Sequence, residues 1–539
     1  MYLRHDALYA SRRSVVLADN VVATSHPLAT QAGLSMLARG GNAVDAAIAT
    51  AAALTVVEPT GNGLGSDAFC ILWDGETLHG LNSSGAAPAR WTPDRFSGLG
   101  EMPFRGWESV TVPGAIAAWA ALSERFGRLD FETLLEPAIR YAQEGFIVSP
   151  VIGALWKNGA KLLAKQPGYA DTFMPGGRAP RAGERFANPG AARSLKLIAE
   201  SKGRAFYEGE LAERIAAFAA EHGAAMTVED LSAHTPDWCG TLETSFDDCA
   251  LNEIPPNGQG IAALMALGML EHTSVRDFGP DDPRALHLQI EAIKLAFADL
   301  YAYVADQRYM TDTTPTDLLE PAYLKRRAAL IREDRAQRHG PGAPKAGGTV
   351  YMTTADSSGM MVSFIQSNYS GFGSGVVVPE TGISLQNRGA GFTLEEGHPN
   401  QVGPGKRPFH TIIPGFLMKD GKPEMSFGVM GGPMQAQGHV QMVLRTQLWE
   451  QDVQTAIDAP RWRFVEGPCR DKRLLPRPRA LALGGVVSVL LIGVGLLGQG
   501  GDGFPERLSD RELAIYTQLQ QAMEEKRFDD GRCRFSAED

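Results

Sequence analysis

The stretch Gly347-Gly348-Thr349-Val350-Tyr351-Met352 decides how the rest of this chain is interpreted. Its two glycines end the segment 332–348 (REDRAQRHGPGAPKAGG), whose charged residues, glycines and prolines are typical of a linker. Strand-forming residues follow at once, and segments 350–355 and 361–367 are spaced as the two strands of a hairpin. The sequence therefore predicts that Thr349 begins a strand directly after a linker.

The chain before the linker contains a helix with a clear beginning. Asn42 is a favourable N-cap residue, and Asp45 lies three positions later, where a carboxylate suits the first helical turn. Residues 43–57 are rich in alanine and almost wholly apolar. We expect this helix to be buried on all sides.

Helical and strand patterns are distributed unevenly along the chain. Residues 106–230 show mainly helical periodicity, whereas strand patterns such as 411–417 and 424–429 predominate after the linker, followed by a helix near 435–450. We expect strands from the first third of the chain to join strands after Thr349. The predicted architecture is therefore a pair of stacked sheets with helices outside both layers.

The composition argues against several classes of protein. A chain of 539 residues with 44% hydrophobic and 21% charged residues is typical of a globular protein, and a net charge of −11 argues against a nucleic-acid partner. The five cysteines form no CxxC pair, so neither a metal site nor a disulfide framework is expected. We also expect no cofactor, because dinucleotide and P-loop fingerprints are missing from the sequence.

The two ends of the chain carry different signals. Residues 1–20 contain several arginines and no continuous apolar run, which predicts no secretory signal and a cytoplasmic location. Residues 480–498 (ALALGGVVSVLLIGVGLLG) follow a basic segment and have about the length of a membrane span, which is roughly 20 residues. A membrane association through 480–498 and a buried helix or strand pair are both open interpretations.

The catalytic hypothesis rests on Thr349. A GxSxG elbow is not found in the sequence, which disfavours an ordinary serine hydrolase. A threonine hydroxyl needs a base within hydrogen-bond reach, and an N-terminal α-amine on the same residue can be that base. Such an amine exists only if the bond between Gly348 and Thr349 is cut. Taken alone, however, a threonine at this place is also compatible with an ordinary strand residue.

Ten stretches give the chain a specific resemblance. In order they are 26–30 (HPLAT), 40–47 (GGNAVDAA), 112–114 (VPG), 255–258 (PPNG), 291–299 (EAIKLAFAD), 348–349 (GT), 382–387 (GISLQN), 403–408 (GPGKRP), 431–432 (GG) and 458–461 (DAPR). With these motifs, which span roughly residues 15–467, the chain resembles the γ-glutamyltranspeptidase family of N-terminal-nucleophile hydrolases. The resemblance implies an α+β fold, the four-layer αββα sandwich of that superfamily.

The resemblance also implies a mechanism. A precursor would cleave itself before Thr349 into a large subunit, 1–348, and a small subunit, 349–467, that carries the nucleophile. Thr349 would attack a small-molecule acyl amide, and water or an amine such as an amino acid would accept the acyl group. Ser367 occupies the position of a hydroxyl that hydrogen-bonds the nucleophile, and Gly431 and Gly432 occupy the oxyanion-hole pair. A homodimer of such heterodimers is an open alternative.

The residues expected to bind substrate depart from the family pattern. Ser84 stands where the family has a substrate-clamping arginine. Tyr369 and Arg388 replace residues that hold a glutamyl α-amino group, and His410-Thr411 replaces a pair of serines.

These departures leave three functional alternatives. A zwitterionic γ-glutamyl group needs both a cation and anions around it, whereas the only charged residue among the substituted positions is Arg388, with His410 nearby. The sequence predicts hydrolysis or transfer of γ-glutamyl or related small acidic amides of the glutathione type. Glutaryl-cephalosporin acylase or oxamate-type amidohydrolase activity is the alternative that suits a monoanionic acyl group. Arg388 could instead serve a structural salt bridge.

The C-terminal part, 468–539, does not resemble the strands with which the family continues. An atypical tail would leave sheet edges uncovered. The third alternative is therefore an inactive, membrane-tethered relic.

Overall fold

The computed structural model describes residues 15–337, 339, 348–465 and 535–538 of the 539-residue chain, the last four as backbone only. The predicted membrane segment 480–498 and most of the predicted tail lie outside the described residues. Within the described residues, no helix combines the length and the apolar composition that crossing a bilayer requires.

The helices surround the sheets. They are α1 (Pro27–Ala38), α2 (Ala43–Val57), α3 (Ala115–Phe126), α4 (Phe131–Glu144), α5 (Pro150–Leu163), α6 (Tyr169–Phe173), α7 (Pro189–Ser201), α8 (Arg204–Tyr207), α9 (Glu210–Glu221), α10 (Val228–Ser232), α11 (Gly260–Leu270), α12 (Pro283–Tyr303), α13 (Pro315–Leu318), α14 (Pro321–Ala328), α15 (Met434–Val443) and α16 (Val453–Asp458).

The strands come from every part of the chain. They are β1 (Val21–Thr24), β2 (Asp67–Trp73), β3 (Leu78–Ser83), β4 (Phe146–Ile147), β5 (Arg185–Phe186), β6 (Leu242–Phe246), β7 (Cys249–Glu253), β8 (Gly348–Ala355), β9 (Met361–Tyr369), β10 (Val377–Val378), β11 (Ile383–Ser384), β12 (Gly415–Lys419), β13 (Lys422–Phe427), β14 (Arg461–Phe464) and β15 (Phe535–Glu538).

Both large sheets mix strands from before and after the linker. The first sheet has the antiparallel order β1-β8-β9-β2-β3, and the second has the antiparallel order β13-β12-β7-β6. In the first sheet, β8 contains Thr349 and β9 follows it, whereas β1, β2 and β3 precede it. The prediction that strands of the first third join strands after Thr349 is confirmed.

The side chains of β2 show how the layers are arranged. Phe69 and Ile71 point between the two sheets and contribute to a buried cluster with Tyr351, Ile365 and Phe416. The alternate residues of β2 face the helices that cover the first sheet, as the two-residue period of a strand requires. A second helical cluster, which includes residues of α11, α12 and α15, covers the other sheet. The predicted four-layer αββα sandwich is confirmed.

Helix α2 forms the predicted buried element. The Asn42 side chain accepts from the backbone N–H of Asp45 at 3.0 Å, and the Asp45 carboxylate accepts from the backbone N–H of Asn42 at 2.9 Å. This reciprocal pair is a capping box. Every residue of α2 is buried, as its composition predicted.

Two predicted elements after the linker have different bounds. The strand expected over 411–417 begins only at Gly415, because backbone groups of the preceding residues bond to side chains instead of a neighbouring strand. The N–H of Ile412 donates to His410 Nδ1 and the N–H of Ile413 donates to Gln435 Oε1. The helix expected over 435–450 ends as an α-helix at Val443 and continues as one wider turn.

Candidate active site

Thr349 lies at an irregularity of the first sheet. The pairing of β8 with β9 shifts between Gly348 and Val350, so that both Ser367 and Asn368 lie opposite Thr349. The Thr349 side chain is buried, and its Oγ1 donates to Ser367 Oγ at 3.4 Å. The structure thus brings together the two hydroxyls that the sequence predicted to act as a pair.

A glutamine that sequence reasoning missed also contacts Thr349. Gln435, in the first turn of α15, donates from Nε2 to Thr349 Oγ1 at 3.4 Å. Its Oε1 accepts from the backbone N–H of Ile413 at 3.0 Å, which orients the amide. The Thr349 hydroxyl therefore has partners on two sides.

Gly431 and Gly432 lead directly into α15. Their φ angles of +119° and +62° lie in the region that favours glycine. The carbonyl of Gly432 accepts from Gln259 Nε2 at 2.8 Å. Neither glycine N–H has a hydrogen-bond partner among the residues that the structure describes. Two such donors beside α15 suit an oxyanion, and their predicted role stays a prediction.

Arg388 is buried in the short turn Arg388–Gly391. Its Nη1 donates to Thr411 Oγ1 at 2.8 Å, and its guanidinium stacks 4.7 Å from the ring centroid of Tyr369. Within the described part of the chain, Nε and Nη2 have no partner and no carboxylate forms a salt bridge with Arg388. The structural salt bridge considered for Arg388 is therefore not observed. Burial lowers the pKa of Arg388 to about 10, which leaves it charged at neutral pH.

Tyr369 lies between Arg388 and Ser367. Its backbone N–H donates to Ser367 Oγ at 2.7 Å, while its ring contacts the guanidinium. The φ of Tyr369 is +78°, which is rare for a residue with a side chain and is found mostly where the surroundings impose it. Tyr369 thus contacts both the Arg388 guanidinium and Ser367, which is hydrogen-bonded to Thr349.

Asp67 is the second residue that the sequence analysis missed. It begins β2 directly opposite Ser367 and is completely buried. Its Oδ1 accepts from the N–H of Gly114 at 3.1 Å, and its Oδ2 lies 3.1 Å from His410 Nε2. Burial raises the pKa of Asp67 to about 7, although the nearby Arg388 opposes that rise.

His410 is predicted to bind substrate and is found as the partner of Asp67. Its Nδ1 accepts from the N–H of Ile412, so the neutral ring carries its proton on Nε2 and donates to Asp67. Burial, and then the charge of Arg388, lower the pKa of His410 well below its ordinary value. The ring therefore stays neutral at physiological pH.

Ser84 hydrogen-bonds with two asparagines. Its Oγ donates to Asn82 Oδ1 at 2.8 Å and accepts from Asn257 Nδ2 at 3.2 Å. The neighbouring Gly85 N–H is directed at Asp67 Oδ1, at 3.4 Å. The structure engages Ser84 in an asparagine network, and its predicted contact with substrate stays a prediction.

A comparison with known proteins decides the family. The model of the Gamma-glutamyltranspeptidase family matches residues 29–468. The chain belongs to the γ-glutamyltranspeptidase family. It is an enzyme of this family of hydrolases and transferases, as the ten sequence motifs predicted.

Individual relatives of this γ-glutamyltranspeptidase-family enzyme carry different substrate names. It is 38% identical to the glutathione hydrolase-like YwrD proenzyme of Bacillus subtilis, over 84% of this chain and 86% of that protein. It is 37% identical to the oxamate amidohydrolase proenzyme of Klebsiella pneumoniae, over 83% and 86% of the two chains. The crystal structure of a cephalosporin acylase from Bacillus halodurans is 48% identical, with a TM-score of 0.81 and coverage of 87% and 88%. The proenzyme names agree with the predicted processing into two subunits.

The two missed residues had weak signals in the sequence. Asp67 is a carboxylate at the start of an otherwise apolar strand, DAFCILW, which is an unusual place for a charge. Gln435 belongs to a helix in which Gln437, His439 and Gln441 are also buried, although such polar residues usually face water. In both cases the pattern indicates a buried polar contact without naming the partner.

In this family member, the described residues contain no group of three or more His, Cys, Asp or Glu side chains placed to hold a metal ion. The chemistry available at the site comes from two hydroxyls, the Gln435 amide, two backbone N–H groups, one buried cation and Asp67 paired with a neutral histidine.

Proposed function

We propose that the precursor is cut between Gly348 and Thr349 and that the resulting enzyme hydrolyses or transfers small acyl groups that carry a single carboxylate. Glutaryl amides, or shorter acids of the oxamate kind, are the proposed substrates. Water or an amine takes the acyl group from a Thr349 ester.

The proposed reaction has two halves. The α-amine freed by cleavage takes the proton of Oγ1 while Oγ1 attacks the amide carbonyl carbon; such an amine has a pKa of roughly 7.7–8.0 and is partly neutral at pH 7. The N–H groups of Gly431 and Gly432 stabilise the oxyanion. The amine of the substrate then leaves with the proton, and water or an acceptor amine later attacks the ester.

The observation that carries the proposed specificity is the unpartnered edge of Arg388. Nε and Nη2 lie on one side of the guanidinium, and both lack a partner within the described residues, although the side chain is buried. Two parallel N–H donors on one edge match the two oxygens of a carboxylate. A buried charge without a partner is costly, and a substrate carboxylate would remove that cost.

The surroundings of Arg388 favour a monoanion over a zwitterion. Among the residues that the structure describes, the carboxylate that acts electrostatically on Arg388 is that of Asp67, and both of its oxygens already accept hydrogen bonds. A substrate ammonium would therefore find most of the acceptor sites of Asp67 already in use, by two backbone N–H groups and His410. The names of the cephalosporin acylase and of the oxamate amidohydrolase support this choice.

The test compares three anilides that release the same chromophore. We expect a higher kcat/KM for glutaryl p-nitroanilide than for the γ-glutamyl compound. Arg388→Ala should lower kcat/KM for the glutaryl compound on the order of 10²-fold (~3 kcal/mol), because a buried charge pair is lost. The neutral pentanoyl anilide is the matched control and should lose less than about threefold.

Arg388→Lys keeps the positive charge but lacks the two parallel N–H donors, and it should give an intermediate kcat/KM for the glutaryl compound. A preference for the γ-glutamyl anilide would contradict the proposed specificity and favour the glutathione-type activity. Absence of turnover with any anilide, in a chain that also remains uncut, would favour the inactive relic.

A further inference from the structure

We infer that Gln435 is a further catalytic residue, whose amide stabilises the negative charge that develops on Thr349 Oγ1 when the acyl-enzyme breaks down. This inference rests on the proposed role of Thr349. It assigns a function to a side chain that contacts the reacting oxygen.

The contact is made by a donor group. Gln435 Nε2 lies 3.4 Å from Thr349 Oγ1, and an amide nitrogen can only donate a hydrogen bond. On the other side of the same oxygen, the hydroxyl hydrogen of Thr349 is directed at Ser367 Oγ. Gln435 therefore approaches the lone-pair side of Oγ1, where negative charge appears when the oxygen leaves an ester.

The amide is held in this orientation before any reaction. Its Oε1 accepts from the N–H of Ile413 at 3.0 Å, which places Nε2 on the side of the nucleophile. The Gln435 backbone N–H donates to the carbonyl of Gly432 at 3.1 Å, so the side chain starts from the same turn as the predicted oxyanion-hole pair. The residue is 0% exposed. A fixed donor in a dry site stabilises charge more strongly than one in water.

The step can be written for hydrolysis. Water attacks the carbonyl carbon of the ester, and the α-amine of Thr349 takes one proton from that water. The bond between the carbonyl carbon and Oγ1 then breaks, and its electron pair moves to Oγ1. The α-ammonium returns the proton to Oγ1, and the free carboxylic acid leaves. Gln435 donates to Oγ1 throughout and is unchanged at the end.

The two halves of the reaction respond differently to such a donor. During acylation the Thr349 hydroxyl already accepts from Gln435 before the reaction starts, and the charge left on Oγ1 by its lost proton passes into the new bond to carbon, so the donor changes this barrier little. During deacylation Oγ1 receives an electron pair, and the same donor lowers the barrier because the bond strengthens in the transition state. Loss of Gln435 should therefore make the acyl-enzyme accumulate.

The same helix provides a matched control. Gln437 is also buried in α15, but its side chain bonds to the backbone N–H and carbonyl of Phe464. It has no contact with Thr349 among the described residues. Gln437→Ala should therefore report the cost of losing a buried glutamine of α15 without touching the nucleophile.

The experiment measures both half-reactions of glutaryl p-nitroanilide hydrolysis in the processed enzyme. Gln435→Met keeps the length of the side chain without the amide, and Gln435→Glu keeps the acceptor for Ile413 but lacks the donor when ionised. We expect the deacylation rate constant to fall on the order of 10- to 100-fold in both variants, with a burst of one nitroaniline per active site. Mass spectrometry should find the glutaryl adduct on the peptide that begins with Thr349.

The result is decisive in each direction. Acylation slowed as much as deacylation, or no adduct in either variant, would overturn the inference, as would equal accumulation in Gln437→Ala. Thr349→Ala separates this failure from failure of the proposed function: if Thr349→Ala is still processed and active, the nucleophile itself is wrong.

If a Gln435 variant remains an uncut precursor, the breakdown of an ester on Thr349 Oγ1 can still be tested in that precursor. Attack of Oγ1 on the Gly348 carbonyl would form an ester within the precursor, and its breakdown also returns an electron pair to Oγ1. Hydroxylamine cleaves esters. Cleavage of an uncut Gln435 variant by hydroxylamine before Thr349 would support the inference, and resistance to it would overturn the inference.

Discussion

At the scale of single residues, Asp67 controls how positive the surroundings of Arg388 are. Asp67 is buried opposite Ser367 and acts electrostatically on Arg388, and its pKa of about 7 lies within the physiological range. His410 is neutral and supplies a proton to the pair without adding charge. The net charge near Arg388 therefore depends on pH through Asp67.

This arrangement predicts a pH-dependent KM. Below about pH 7 Asp67 is protonated and Arg388 attracts the substrate carboxylate alone; above it, the ionised Asp67 offsets that attraction. We expect the KM of glutaryl p-nitroanilide to rise roughly tenfold from about pH 6 to about pH 8, the equivalent of one pKa unit of differential interaction. The measurement is KM as a function of pH. It is determined separately from kcat, because kcat also depends on the protonation of the α-amine.

Asp67→Asn is the matched variant, because an amide of the same shape stays neutral at every pH. Its KM for the glutaryl compound should be flat across the same range, and the neutral pentanoyl anilide should give flat profiles in both proteins. A rise that persists in Asp67→Asn would assign the titration to another group.

At the scale of elements, the beginning of α2 depends on one carboxylate that serves two segments. Besides the Asn42 N–H, Asp45 accepts from the N–H groups of Arg128 at 3.1 Å and Leu129 at 3.3 Å. Asp45 is completely buried, so these donors have no access to water if the carboxylate is removed. The capping box therefore also fixes the turn that follows α3.

Asp45→Ala should accordingly lower the free energy of unfolding by ~3 kcal/mol, because several buried donors lose their acceptor. The measurement is the urea midpoint followed by circular dichroism. Asp317→Ala is the control, since Asp317 completes the same kind of capping box with Thr314 on the surface. It should cost ~1 kcal/mol. Equal losses of unfolding free energy in the two variants would show that the hydrogen bonds from Arg128 and Leu129 to Asp45 add nothing to stability.

Helix α15 is the element that contacts both Thr349 and strand β14. Gln435 faces Thr349, whereas Gln437 and Gln441 each bond to both the N–H and the carbonyl of a residue in β14. The two glutamines, one turn apart, thus take the place of a neighbouring strand for Trp462 and Phe464. This explains why a helix that lies inside the molecule carries so many amides.

At the scale of the whole molecule, the proposed cut divides both sheets between two subunits. The large subunit would keep β1, β2 and β3 of the first sheet. The small subunit would keep β8 and β9, which lie between β1 and β2 in that sheet. The second sheet is divided in the same way, because β7 pairs with β12. The subunits share their hydrogen-bonded ladders and a common core, so cleavage should leave them associated.

The proposed cut also predicts how the protein behaves on denaturing and native separation. The purified protein should run as two fragments, 1–348 and 349–539, on a denaturing gel, and as one species on size exclusion under native conditions. Thr349→Ala should remain a single chain, and Thr349→Ser should still be cut because it retains a hydroxyl nucleophile. A wild-type chain that stays intact, or a Thr349→Ala chain that is cut, would contradict the proposed nucleophile.

Much of the fold could be predicted because its signals are local. The α2 cap follows from a few adjacent residues, and the strands beside Thr349 follow from their own alternation. The strand expected from 411 begins four residues later, at Gly415, because the N–H groups of Ile412 and Ile413 donate to the side chains of His410 and Gln435. Such competition between partners is not visible in a local pattern.

By itself, the sequence determined the family, the layered fold and the candidate nucleophile, since ordered motifs and periodicity are properties of short segments. The tertiary structure decided what surrounds Thr349. Asp67 meets His410 across 343 residues of chain, and Gln435 meets Thr349 across 86. These contacts arise only when the two sheets and α15 pack together, because packing rather than sequence spacing sets the distance between them. The charge near Arg388 and the donor on Oγ1 are consequences of that packing.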